Sequence, residues 1–164
     1  MAIRKRNAVE AADAKALLNK MNSTASKIRL GDVVDCQKGS VKAKYDFSVL
    51  GGAVGSLNLR DPDDSTKTVT LPNKAIITTA YIDVITGMTS AGGTGTIALT
   101  ANSAGDLKAA VDADTLSGIV ACIPVGSAAT SIKLTAERTL SVAIATEALT
   151  AGKFILFVEY MVSE

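Results

Sequence analysis

Histidine is missing from all 164 residues, and that absence excludes much chemistry. It removes the commonest general base, the usual activator of a serine or cysteine nucleophile, and the commonest metal ligand. Catalysis would have to rest on paired carboxylates, a lysine or a cofactor site, and the sequence reads as non-enzymatic. Tryptophan is also absent, and aromatic residues make up only 4%, so the core has to be built from Val, Ile, Leu and Ala. Two cysteines, Cys36 and Cys122, are too few for a disulfide framework. They read as reduced, mostly buried thiols of a protein made in a reducing cytoplasm, although the sequence leaves a bridge between them open. No apolar run of about 18 residues is present, so no segment reads as a membrane-spanning helix. The start, M-A-I-R-K-R-N, is basic but is followed by no apolar h-region, unlike a secretory signal.

What is present favours strands. Hydrophobic residues make up 48% of a chain of single-domain length, enough for one core. After position 45 the chain is dominated by Thr, Ser, Ala, Gly and Val, a mixture suited to strands and tight turns. The clearest stretch is K-F-I-L-F-V-E-Y-M-V over 153–162. Phe154, Leu156, Val158 and Tyr160 fall on alternate positions, the period of a strand. The opposite face carries Ile155, Phe157 and Met161, broken by Glu159. A strand apolar on both faces needs a second surface to cover it, and a symmetric oligomer, a dimer or trimer, supplies one. Ile155, Phe157 and Met161 are therefore the expected oligomer contacts.

Further strands are expected at Tyr45-Phe47-Val49, Leu57-Leu59, Thr68–Leu71 and the long run Lys74–Met88. In that run Ile76, Ala80, Ile82 and Val84 share one face, and Ile77, Thr79, Tyr81, Asp83 and Ile85 the other. Thr94–Thr100, Ile119-Ala121-Ile123, Ile132-Leu134 and Leu140-Val142-Ile144 follow. Ser141, Ala143 and Ala145 form a small-residue face that permits close approach of another sheet or subunit. The segment 106–111 is expected to make a turn or two of helix. Eight or nine strands with no long helix between them predict an all-β fold, an antiparallel sandwich or jelly roll, over residues 45–164.

Residues 1–44 differ in kind. They hold ten Lys and Arg against four Asp and Glu, whereas residues 45–164 hold seven against twelve. Residues 8–21 are rich in helix formers, with Asn7 as cap and Glu10 completing a capping box. Their apolar stripe, including Val9, Ala16, Leu17 and Met21, is too thin to seal a core. The segment reads as a basic arm that docks on another surface, with Arg4, Lys5 and Arg6 as its leading charges. The arm has no aromatic residue for stacking on bases, which favours an acidic protein partner over nucleic acid.

Other motifs read as architecture. Asp61-Pro62-Asp63-Asp64-Ser65 spaces oxygens like a calcium loop, but Thr66 stands where the loop needs Gly and Pro72 where it needs Glu. Gly51–Gly55 and Gly92–Thr96 lack the Lys-Ser/Thr ending of a phosphate loop and open no helix. Asp112 with Asp114, and Asp63 with Asp64, sit in polar turns as solvated charge. No catalytic residue, metal ligand or cofactor site is expected.

Three stretches, Y-D-F-S-V-L-G-G-A-V-G-S-L-N-L, L-P-N-K-A-I-I-T-T-A-Y-I-D-V and I-K-L-T-A-E-R-T-L-S-V-A-I-A-T-E-A-L-T-A-G-K-F-I-L-F-V-E-Y, give the body a resemblance. It is similar to capsid decoration, or cement, proteins of tailed bacteriophages. The resemblance implies a compact β-protein on the outside of the virion, in symmetric oligomers bound to the major capsid protein, without membrane or nucleic acid as partner. The alternative is a receptor- or carbohydrate-binding β-sandwich of a phage tail or fibre.

Overall fold

The computed structural model describes residues 38–163. Strand β1 (Lys38–Asp46) is followed by one helical turn, α1 (Phe47–Leu50), and by β2 (Gly55–Asn58) and β3 (Thr70–Leu71). Then come β4 (Ala75–Ser90), β5 (Thr96–Thr100), β6 (Lys108–Asp112) and β7 (Gly118–Val125). Strands β8 (Ile132–Lys133), β9 (Arg138–Thr139), β10 (Ser141–Ala145) and β11 (Leu149–Val162) complete the order. All pairings are antiparallel.

The longer strands divide into two sheets. One has the order β1-β11-β4-β7, with β8 also paired to β4, and the other the order β2-β10-β5-β6. Both feed one core. Ala43, Tyr45, Ile82, Phe154, Leu156 and Val158 of the first sheet are buried in the same cluster as Ile97, Leu99, Val142 and Ile144 of the second. The core is aliphatic, as the scarcity of aromatics requires. Its one aromatic pair joins neighbouring strands: the rings of Tyr45 and Phe154 stack at 5.4 Å between centroids. The Tyr45 hydroxyl donates to the carbonyl of Gly51 at 2.8 Å, which satisfies its only polar atom. Burial, with the negative charge of Asp46 beside it, pushes its pKa up to about 12.

Several sequence expectations change. The sheet begins at Lys38 rather than near Tyr45, because Lys38–Lys44 continue the ladder against β11. Phe47 and Val49 do not extend that strand. Asp46 caps a helical turn instead, accepting from the Ser48 N–H at 3.1 Å. The segment 106–111 is not helical, because Lys108–Asp112 pair with β5. The turn before them is closed by Asp106, whose carboxylate accepts from the N–H groups of Ala101, Asn102 and Ser103. In β4 a register shift near Thr78 exchanges two faces. Ile77 is therefore buried with Ala80 and Ile82, while Ile76 is only half-buried.

Candidate functional site

Among the described residues the buried core holds no charged side chain, which leaves the outward faces and loops to carry a site. The outer face of the β1-β11-β4-β7 sheet is built by strand alternation. On β11 it carries Ile155, Phe157 and Met161, all half-buried. Register places Ile155 between Lys44 and Asp83, Phe157 between Lys42 and Tyr81, and Met161 between Lys38 and Ile76. Phe157 is not bare: its ring stacks on Tyr81 at 4.8 Å and 10°, and Lys42 Nζ lies 5.6 Å from its centroid. At one end Lys153 pairs with Asp46 at 2.9 Å. The Ser48 side chain, and after it Lys153, hold the Asp46 carboxyl below its ordinary pKa.

The same face continues across β7, where Ile119, Ile123 and Val125 are 68%, 49% and 61% exposed. The sequence places Ile119, Ala121 and Ile123 on a common face. That face is the outward one, and the buried side chains of this strand are Cys122 and Pro124. A run apolar on both sides, I-V-A-C-I-P-V, carries no internal mark of which side turns inward. Cys122 is free and buried, and burial pushes its pKa up to about 11 against the opposing pull of Lys108. It is a core thiol, protonated at neutral pH. Cys36 lies outside the described residues.

The loops bind themselves. Glu147 accepts from the N–H groups of Gly92 and Thr94 and from the Thr94 hydroxyl. Asp114 accepts from the N–H and hydroxyl of Ser90. Both carboxylates are thus committed to holding the Ser90–Gly95 loop. In the 61–67 turn Asp61 and Asp64 accept from the N–H groups of Asp63 and Thr66, and Asp64 pairs with Lys67 at 3.1 Å. No group of three or more His, Cys, Asp or Glu among the described residues is arranged to hold a metal ion. Arg4, Lys5, Arg6, Val9, Ala16, Leu17 and Met21 lie outside the described residues.

The sequence matches no protein-family model and no curated protein. Solved structures do match. The chain shares its fold with chains of phage capsids. A chain in the capsid of Ralstonia phage GP4 superposes with a TM-score of 0.51 at 21% identity, over 84% of this chain and 93% of that one. A chain in the capsid asymmetric unit of cyanophage Pam1 gives 0.50 at 16% identity, over 77% and 86%. At such identities the likeness is one of fold.

Proposed function

We propose that this protein is a non-enzymatic structural component of a tailed-phage virion, which binds the outside of the assembled capsid and stabilises it. We take its fold to be a jelly roll. The supporting observation is the strand order: setting aside the two-residue strands, the chain alternates between β1-β11-β4-β7 and β2-β10-β5-β6 at every connection except β5–β6. That wrapping is the double-sheet arrangement which recurs in viral capsid domains. The fold likeness to chains in the GP4 and Pam1 capsids supports the same reading.

In this reading the protein is a homo-oligomer, a dimer or trimer, that buries Ile155, Phe157 and Met161 between copies. The basic arm contacts the major capsid protein through Arg4, Lys5 and Arg6, with Val9, Ala16, Leu17 and Met21 as its apolar stripe. The test is co-sedimentation of the purified protein with capsid shells that lack it, at low and high salt. The full chain should bind and raise the temperature at which the shells rupture. A chain without residues 1–22 should bind more weakly, and the difference should shrink in salt, which screens exposed charges beyond about 8 Å at physiological strength. Failure of the full chain to bind would overturn the attachment. Equal binding by the truncated chain would remove the arm from it.

A further inference from the structure

Three depressions meet at one short stretch of β1. A groove of about 280 Å³ lies between Lys38–Ser40 and Tyr160, one of about 270 Å³ between Ser40–Lys42 and Phe157, and one of about 520 Å³ between Ser40–Lys42 and Asp63, Thr68 and Val69. Ser40 lines all three.

The backbone there has a defined direction. β1 pairs with β11 without a register shift from Lys38 to Asp46. At Lys44 the N–H donates to the Arg60 carbonyl at 2.7 Å, and the Lys44 carbonyl accepts from the Arg60 N–H at 3.0 Å. The polar groups of Lys44 therefore point away from β11. Strand period two sends those of Lys42 and Ser40 the same way. Among the described residues nothing pairs with them, and the ladder beyond β1 stops at the Lys44–Arg60 bridge. A row of ladder groups with the Asp61–Thr70 groove beside it is the geometry for strand addition.

We propose that the Ser40–Lys42 edge accepts an added strand from a partner protein, an extended segment with acidic residues at alternate positions. The charge pattern selects this occupant. Lys38, Lys42 and Lys44 stand in a row on the outer face, and neither Lys38 nor Lys42 has a carboxylate partner among the described residues. Edge lysines deter pairing between like strands. A second copy joined edge to edge about Ser40 would set Lys38 of each copy against Lys42 of the other, like charge opposite like. A strand with Asp or Glu opposite the lysines turns that repulsion into attraction. On the other face Val41 is half-buried, and the Tyr160 ring lies over Gly39, where an added Cβ would strike it. The groove on this side sets Val41 and Val69 among Thr68, Thr70, Asp61 and Asp63, so the inward positions of the added strand take small uncharged side chains. The proposal adds to the capsid reading without resting on it, so the peptide experiment below can succeed or fail independently of shell binding.

The probe is a capped synthetic peptide of alternating glutamate and valine, titrated into the full-length protein, with a lysine–valine peptide as comparator. The glutamate peptide should shift the amide resonances of Ser40 and Lys42 and slow their hydrogen exchange, and the lysine peptide should do neither. Ser40→Pro removes one outward donor at an edge position where proline is tolerated and should weaken binding roughly tenfold. Lys38→Glu with Lys42→Glu leaves the backbone intact and should reverse the preference between the peptides. Absent binding, equal binding of the two peptides, or binding unchanged in both variants would overturn the proposal. So would amides of Ser40 and Lys42 already protected in the free chain.

Discussion

At the scale of single residues, close approach decides which positions tolerate change. A Cβ on Gly52 would strike the backbone carbonyl of Leu149, whose N–H donates to the Gly52 carbonyl at 2.8 Å. Backbone cannot step aside as a side chain can, so Gly52→Ala should lose about 1–3 kcal/mol in urea unfolding. Gly152 combines a φ of 137° with contact against Met88, and Gly152→Ala should cost at least as much. At Gly39 only the Tyr160 ring is in the way, and Gly39→Ala should cost least of the three. A smaller loss at Gly52 than at Gly39 would contradict this ordering. Phe154 is fully buried and stacked on Tyr45. Phe154→Ala leaves a ring-sized cavity and should lose about 3–5 kcal/mol by the same measurement.

Among the elements, the Ser90–Gly95 loop has a built-in response to acid. Burial acts to raise the pKa of Glu147, but bonds from the backbone of Thr94 and Gly92 and from the Thr94 side chain outweigh it, and the pKa is lowered. A depressed carboxyl contributes stability above its unfolded pKa and loses it as pH falls through the folded value. The loop should therefore stay ordered through neutral and mildly acid pH and loosen below the ordinary glutamate range. Amide exchange of Gly92 and Thr94 against pH reads this out. In Glu147→Gln both amides should exchange faster at neutral pH, and unchanged exchange would contradict the account. Much at this scale was legible in the sequence: β4 and β11 follow from alternation alone, and Asp61–Ser65 and Ser90–Gly93 from turn chemistry. The misses have physical causes. The register shift at Thr78 inverts Ile76 and Ile77 without a sequence mark. The helix formers of 106–111 yield to pairing with β5, a tertiary effect that overrides local propensity. The polar sequence of Lys38–Lys44 hides an edge strand, because only Val41 and Ala43 face inward.

For the whole molecule, the outer sheet face sets the expectation. Ile155 and the exposed Ile119, Ile123 and Val125 lie on one side of one sheet, and each large side chain newly buried there contributes about 1.5–3 kcal/mol. Sedimentation at micromolar concentration should show an oligomer. Ile155→Ser should shift it toward monomer with the fold intact, since Ile155 lies outside the core. A monomeric wild-type chain would contradict the oligomer. Electron cryomicroscopy of the particle that carries this chain tests attachment to the capsid surface most directly. Density for the two packed sheets should appear on the outer surface of the capsid, repeated with the local symmetry of a dimer or trimer and touching the major capsid protein. Density for this chain in the tail or a fibre, inside the shell, or nowhere on the mature particle would contradict it.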